Sequence, residues 1–61
     1  GPRFEIDETN IRVIDNLAVN SGTYAVTFED GTTARARFTF VYQNINQHWL
    51  IIEHHSSVMP E

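Results

Sequence analysis

The residues best suited to chemistry lie at positions 53–57, where Glu-His-His-Ser-Ser follows an apolar run. A half-buried imidazole gains and loses a proton near neutral pH, and a hydroxyl can orient water or a substrate. Because successive side chains of a strand point to opposite faces, His54 shares a face with Ser56. We therefore predict His54 and Ser56 as candidate catalytic residues, at the point where a strand leaves a core and enters a polar cavity or a solvated rim.

A purely structural role fits the same residues. No Asp or Glu lies nearby on the face of His54, so this stretch does not by itself supply a Ser-His-Asp triad. Polar side chains at the end of a strand also hydrogen-bond one another as the chain leaves a core. Proton transfer and strand-end hydrogen bonding are therefore alternative roles for these side chains.

A metal site within a single chain is not predicted. His54 and His55 are adjacent and diverge, and His48 is separated from His54 by about 20 Å of extended strand. Zinc needs three or four converging ligands, and the chain has no cysteine to supply a thiolate. We predict no metal and no cofactor, and a metal ion shared between subunits remains an alternative.

Two arginines, Arg35 and Arg37, are candidates for binding an anion or a carboxylate. They lie on the strand that is expected to pair with the last one. One register places Arg37 opposite Glu53, which also permits a simple cross-strand salt bridge, and a shift by one residue places it opposite His54. We predict that a small anionic ligand would be bound by Arg37, Arg35, His55 and Tyr42.

The elements that must position these residues have the alternating pattern of β-strands. We predict four strands in an antiparallel meander, over residues 4–14, 17–28, 33–42 and 49–58. Asp15-Asn16 is a turn signal, Asp30-Gly31 predicts a tight hairpin with a positive φ at Gly31, and 43–47 is predicted as a polar loop. Gly22, inside the second strand, predicts a bulge or a sharp bend.

Both faces of this predicted sheet carry apolar residues. Strict alternation places Phe38 and Phe40 together on one face of the third strand, and Trp49 and Ile51 on the same face as Glu53 and His55. The aromatic side chains are interpreted as core residues rather than as a ligand platform. A sheet that is apolar on both sides must be covered on both sides, and no segment has the spacing of a covering helix.

Composition limits the alternatives. The 61 residues include four Lys or Arg and eight Asp or Glu, which gives a net charge of −4 and argues against nucleic-acid binding. No apolar run approaches the roughly 20 residues of a membrane span. The hydrophobic gain of so short a chain about equals the entropy cost of ordering it. We therefore predict a homo-oligomer, or a fragment of a larger domain whose N-terminal part lies elsewhere.

The Gly1-Pro2 start is typical of what a protease leaves after removing an expression tag, so we assign residues 1–2 to such a remnant and 3–61 to a single partial domain. Residues 37–61, from Arg-Phe-Thr-Phe-Val-Tyr to Met-Pro-Glu, resemble the C-terminal strands of the SnoaL-like and calmodulin-dependent kinase II association-domain family. The segment 11–24 is similar to the mid-domain hairpin of the same nuclear-transport-factor-two-like superfold.

This resemblance implies the C-terminal part of an α+β cone fold that lacks its helices. Members of the group dimerise or form rings through the outer sheet face, and arginines in the pocket of the kinase association domain bind small carboxylates. The resemblance thus implies a self-associating module with a small-ligand pocket, in which Arg37 and Arg35 take the carboxylate-binding role.

The ending 53–57 is also similar to the His-His-His-Ser-Ser ending of iota-class carbonic anhydrases, with Glu53 in place of the first His. That similarity implies CO₂ hydration, with His54 and Ser56 positioning water or bicarbonate, and some members of the class work without metal. The class also draws a Thr and a Tyr from upstream strands, and neither position exists in this sequence, so the hydratase site is expected to be incomplete in this fragment. Carbonic anhydrase, or another SnoaL-like lyase or isomerase, is therefore the alternative to a binding module.

Overall fold

The computed structural model describes residues 1–60 and contains four β-strands. They are β1 (Arg3–Ile14), β2 (Leu17–Thr27), β3 (Thr33–Ile45) and β4 (His48–Val58). The strands form one antiparallel sheet in the order β1-β2-β3-β4, which confirms the predicted meander. Within the described residues, no helix is long and apolar enough to cross a membrane.

The β1–β2 and β3–β4 turns, which lie at the same end of the sheet, are tight. Asp15 has a φ of 54° at the predicted turn between β1 and β2, and Asn46 and Gln47 have φ values of 53° and 69° between β3 and β4. Two consecutive positive φ angles define a type I′ turn, whose twist matches that of the strands it joins. The strands therefore continue to Ile45 and resume at His48, and the loop predicted over 43–47 is only two residues long.

The hairpin between β2 and β3 uses the predicted Asp-Gly pair. Gly31 has a φ of 87°, a left-handed conformation that glycine adopts at no steric cost. The Asp30 carboxylate accepts hydrogen bonds from the Thr32 hydroxyl at 2.6 Å and from the Thr32 amide at 3.0 Å. These two hydrogen bonds stabilise the charged form and lower the pKa of Asp30 from its ordinary value.

A bulge lies beside Gly22, but on the neighbouring strand. Ile6 pairs with Tyr24 and Glu8 pairs with Thr23, so Asp7 is an extra residue in β1. A Cβ atom on Gly22 would collide with the Glu8 carbonyl oxygen and would lie 2.9 Å from ring atoms of Phe38. The glycine is therefore needed for a close approach of backbone and ring next to the bulge, and the irregularity itself falls in β1.

A second bulge changes which residues of β4 share a face. Val41 pairs with Glu53 while Tyr42 pairs with Ile51, so Ile52 is the extra residue. An inserted residue reverses the alternation of everything that follows it. Trp49 and Ile51 therefore lie on the face of His54 and Ser56, and the expectation that they share a face with Glu53 and His55 was wrong.

The sheet has two distinct faces, which we name by their composition. The aromatic face carries the rings of Phe4, Tyr24, Phe38, Phe40, Tyr42 and Trp49, and the charged face carries Glu8, Arg12, Arg35, Arg37 and Glu53. Neighbouring rings along the aromatic face have centroids 5.9–6.2 Å apart from Phe4 to Tyr42. This continuous aromatic row has the character of one half of a hydrophobic core.

The other half of that core does not lie within residues 1–60. Among these residues, the buried apolar side chains are Ala18, Ala36 and Phe38, whereas Trp49 is 45% exposed and Ile51 is 56% exposed. The radius of gyration of 14.1 Å exceeds the roughly 10.5 Å of a compact chain of this length. The chain is therefore a single layer that is open on both sides.

Candidate functional site

His54 lies on the edge strand β4, flat against an aromatic ring of the aromatic face. It pairs with Phe40 across β3 and β4, and the two rings stack with centroids 4.4 Å apart and an interplanar angle of 3°. The stack fixes the plane of the imidazole while the side chain stays exposed on the open side of the sheet. His54 is thus oriented by packing rather than by a hydrogen bond.

Ser56 is positioned next to His54 by the same strand and is held by a tyrosine. The Ser56 and Tyr24 hydroxyl oxygens are 2.6 Å apart, and either one can donate the hydrogen bond. Tyr24 belongs to β2, so its side chain crosses β3 to reach Ser56 on β4. It passes over the small side chain of Ala36, its partner in the ladder, which is 2% exposed.

Tyr24 was not among the predicted site residues. Its position follows from two strand registers taken together. Tyr24 pairs with Ala36 and Phe38 pairs with Ser56, so both hydroxyls lie on one face, one row apart. No upstream tyrosine was expected at this end of the sheet, whereas the structure places the Tyr24 hydroxyl there.

These residues line a shallow groove of about 310 Å³. Its polar groups are the hydroxyls of Tyr24 and Ser56 and the ring of His54, and its walls are formed by Phe4, Ile6, Phe38 and Phe40. Apolar walls with a few convergent polar groups are the usual composition of a small-molecule site. Chemically, the groove suits a small, largely apolar ligand that offers one hydrogen-bonding group to the Tyr24–Ser56 pair.

Tyr42 lies on the same face but in a different groove. This second groove has a volume of about 360 Å³ and lies at the end of the sheet formed by the β1–β2 and β3–β4 turns. It is lined by Ile11, Val13, Ala18, Asn20, Tyr42 and Trp49. The structure therefore separates Tyr42 from Arg35, Arg37 and His55, with which it was grouped.

The two arginines and His55 lie on the charged face, away from His54 and Ser56. Arg37 pairs with Thr23 and with Ser57, so neither of the two registers considered for it is the one observed. Arg35 forms a salt bridge of 3.0 Å with Asp7, the bulge residue of β1. The predicted residues thus form two groups on opposite faces of one sheet, which share no cavity.

The described part of the chain holds no cluster of three or more His, Cys, Asp or Glu side chains that could bind a metal ion. His54 and His55 point to opposite faces, and the bulge at Ile52 places His48 on the face opposite His54. Strict alternation would place His48 and His54 on the same face, but in the structure their side chains lie on opposite faces.

The described residues thus form one sheet with an aromatic face and a charged face, and both faces are open. The family model of the calcium/calmodulin dependent protein kinase II association domain matches residues 1–60. The chain belongs to this family, as the resemblance of its last strands predicted.

One solved structure illustrates the relationship. It is the crystal structure of a protein from Xanthomonas campestris that is assigned as a calcium/calmodulin dependent protein kinase II association domain, with a TM-score of 0.74 and 42% sequence identity. The alignment covers 98% of this chain and 46% of that chain, so the chain spans about half the length of the matched protein. No curated protein matches the sequence.

Proposed function

We propose that this chain is a self-association module of the association-domain type, whose open sheet is covered by other polypeptide of the same assembly. The observation that carries the proposal is the exposure of large apolar side chains on both faces. On the aromatic face Ile51 is 56% exposed, and on the charged face Leu50 is 49% and Ile14 58% exposed. Monomeric proteins rarely leave contiguous apolar surface of this extent in water.

The energetics point the same way. Burying one large aliphatic or aromatic side chain contributes about 1.5–3 kcal/mol, and these side chains gain only part of that in the single layer. A domain of about 60 residues is already marginal when its core is complete. Association that covers these side chains therefore supplies a stabilisation comparable with the whole stability of a small domain.

Sedimentation equilibrium combined with circular dichroism tests this function. We expect the sheet signal to appear with the oligomer as the concentration rises from about 1 to about 100 µM, because association stabilises only the folded state. Leu50→Asp should shift association to higher concentration, and Thr33→Asp, a change at an exposed position away from the apolar side chains, is the matched control. A folded monomer with a cooperative, concentration-independent unfolding transition would contradict the proposal.

A second candidate function is small-ligand binding in the groove of the aromatic face, or catalysis there. The observation that favours it is the convergence of the Tyr24–Ser56 hydrogen bond and the stacked His54 on one apolar groove. CO₂ hydration of the iota-class type, or another lyase or isomerase reaction, would use His54 and Ser56 to position water. The assay is stopped-flow CO₂ hydration with and without chelator, in which His54→Ala and Ser56→Ala should abolish any rate above buffer.

A small carboxylate would instead bind on the charged face. Arg37 forms no salt bridge within residues 1–60, whereas Arg35 is engaged by Asp7, and His55 lies one row away from Arg37 on the same face. Calorimetric titration with acetate and succinate tests this site, with Arg37→Gln as the variant that should remove binding. Binding that survives Arg37→Gln and disappears in His54→Ala would assign the ligand to the groove of the aromatic face.

A further inference from the structure

The aromatic face carries no charged side chain in the part of the chain that the structure describes. The strand residues that are ionised at neutral pH alternate with the aromatic row and lie on the charged face; they are Arg3, Glu5, Glu8, Arg12, Arg35, Arg37 and Glu53. Asp7, the bulge residue, is paired with Arg35 of that face, and the other described acids lie in the turns. A ligand on the aromatic face therefore meets no counter-ion from residues 1–60.

The groove between Tyr24, Ser56 and His54 offers a hydrogen-bond donor that is prepared for an acceptor. The hydroxyl oxygens of Tyr24 and Ser56 are 2.6 Å apart, so one of the two O–H groups is used in the bond between them. The phenol is the more acidic hydroxyl and therefore the better donor, which leaves the Ser56 O–H free. Because hydrogen bonds in a chain polarise one another, a hydroxyl that accepts a hydrogen bond becomes a stronger donor. The Ser56 O–H thus suits the oxygen of a carbonyl group.

The walls of the groove favour a flat, apolar ligand. The ring of Phe38 lies between those of Tyr24 and Phe40, with centroids 6.1 and 5.9 Å away and interplanar angles of 48° and 55°. Tilted rings present both edges and faces, which a further aromatic ring can contact edge-to-face. The volume of about 310 Å³ is at the lower end of the range for ligand pockets, so one ring with a short substituent has the fitting size.

From these observations we infer that the groove binds a neutral ligand with one aromatic ring and a carbonyl oxygen, and that it excludes carboxylates. This inference rests on the proposed ligand-binding function of the groove and specifies its ligand class. The ring packs against Phe38 and Phe40, and the carbonyl oxygen accepts the hydrogen bond of Ser56. The ligand differs from the anion that the sequence predicted, because Arg35 and Arg37 lie on the other face.

Charge decides the ligand class. An ionised group that leaves water for an apolar site loses its hydration, and this loss is large unless an opposite charge compensates for it. The Tyr24–Ser56 pair supplies a hydrogen bond from a neutral donor, which does not replace the hydration of a carboxylate. A neutral carbonyl group loses much less on entering the groove. The groove should therefore discriminate between two molecules of the same shape that differ only in charge.

Three small probes test the ligand class. Acetophenone and benzoate have nearly the same shape, because the methyl group of one takes the place of the charged oxygen of the other, and phenyltrimethylammonium carries the opposite charge. NMR titrations of the assembled chain with labelled phenylalanine follow the ring signals of Phe38 and Phe40, so that binding on the charged face is not counted. We expect acetophenone to bind at least about tenfold more tightly than either ion.

An ammonium group placed in the groove should reverse this preference. Ser56→Lys and Ile6→Lys each introduce one at an exposed position that lines the groove, and one variant remains informative where the other fails to fold. Both should bind benzoate at least about tenfold more tightly than the wild-type groove does. The controls are Ser57→Lys and Glu5→Lys, neighbouring positions on the charged face, which should leave the affinities of the groove within about twofold.

Ser56→Ala tests the carbonyl contact. Acetophenone should lose about fivefold in affinity, which is the net contribution of one hydrogen bond, whereas the weak binding of benzoate should not change. Full affinity for acetophenone in this variant would overturn the assignment of Ser56 as the donor.

The remaining outcomes separate the ligand class from the ligand-binding function itself. Tighter binding of benzoate or of phenyltrimethylammonium at Phe38 and Phe40 would overturn the neutral class and leave the groove as a ligand site. Lysine variants that bind benzoate no better than the controls would show that the absence of charge is not what excludes it, and would also overturn the inference. Ring signals that no probe shifts at millimolar concentration would remove the proposed ligand binding, and the inference with it.

Discussion

At the scale of single residues, the contact between Tyr24 and Ser56 links distant parts of the chain. The two residues are 32 positions apart, and their hydroxyl oxygens lie 2.6 Å apart across an intervening strand. Because β2 and β4 are not neighbours in the sheet, this side-chain hydrogen bond connects them directly. It fixes Tyr24 and Ser56 at one side of the groove that they line with His54, independently of the backbone hydrogen bonds between strands.

Tyr24→Phe should lower the free energy of unfolding by about 0.5–1 kcal/mol, the net contribution of a hydrogen bond at a partly exposed site. Urea unfolding at one fixed protein concentration measures this change, since association shifts the midpoint. The matched control is Tyr42→Phe, whose hydroxyl makes no hydrogen bond within the described residues. Equal effects of both substitutions would show that the Tyr24–Ser56 bond contributes nothing.

A second residue-scale feature is the hydroxyl of Thr23, which is buried on the charged face without a hydrogen-bond partner in the described structure. A buried polar group that lacks a partner retains its full desolvation cost. Thr23→Val, which replaces the hydroxyl with a methyl of similar size, should therefore raise the unfolding free energy by about 1 kcal/mol. Thr39→Val on the same face is the control, and the prediction is wrong if Thr23→Val is the more destabilising of the two.

The candidate site was only partly predictable at this scale. The shared face of His54 and Ser56 follows from strand alternation alone, because no bulge lies between them. The position of Tyr24 depends on two registers that no local pattern specifies. The separation of Arg37 from His54 likewise depends on the register of β3 against β4, which the sequence left open.

At the scale of elements, the turns and strands were predictable because their signals are local. Gly31 in the Asp-Gly turn adopts the expected positive φ, and Asp15-Asn16 turns the chain between β1 and β2. The two bulges were not predictable, since each is a property of two paired strands rather than of one segment. The bulge at Ile52 is the reason that the side chain of Trp49 lies on the opposite face from the one expected.

The β3–β4 turn gives an element-scale prediction. Gln47 has a φ of 69°, a conformation that costs a residue with a Cβ atom roughly 1 kcal/mol. Gln47→Gly should therefore raise stability by about 0.5–1 kcal/mol, and it creates the Asn-Gly pair that type I′ turns favour. Thermal unfolding measures the change.

The control for this substitution is Gln43→Gly within β3, where glycine should destabilise the strand. A decrease in stability with Gln47→Gly, comparable with that of the control, would rule out backbone strain at the turn.

The β2–β3 hairpin predicts a pH dependence. The pKa of Asp30 is lowered in the folded state by the Thr32 hydrogen bonds, so the carboxylate contributes stability that is fully present above its unfolded pKa. This contribution is lost as the pH falls through the lowered, folded pKa. Asp30→Asn keeps an acceptor oxygen but does not titrate, so the stability difference between wild type and variant should change only in the acidic range. A difference that is constant from neutral to strongly acidic pH would contradict this assignment.

At the scale of the whole molecule, the described residues form a single four-stranded sheet without the layers that normally accompany one. It spans about half of the matched association-domain protein, and its aromatic face is left open. Composition and alternation predicted this openness, since they showed two apolar faces and no helix. They did not predict the different chemistry of the two faces, which depends on the positions of the bulges.

Hydrogen exchange followed by NMR distinguishes packing through faces from pairing through edges. In an edge strand, every other amide points away from the sheet and has no partner. We expect those outward amides of β1 and β4 to exchange rapidly even in the oligomer, while the amides of β2 and β3 are protected. Protection of the outward amides of β4 would instead show that copies join edge to edge.

The two edge strands of the sheet, β1 and β4, differ in the features that discourage pairing with further strands. Five of the 12 residues of β1 are Lys, Arg, Asp or Glu, and Asp7 adds a bulge, whereas Glu53 is the single such residue among the 11 of β4. Charges and bulges on a border strand discourage the addition of further strands. Fibrous, amyloid-like growth by repeated edge-to-edge addition would require both edge strands, so the charges and the bulge of β1 oppose such growth.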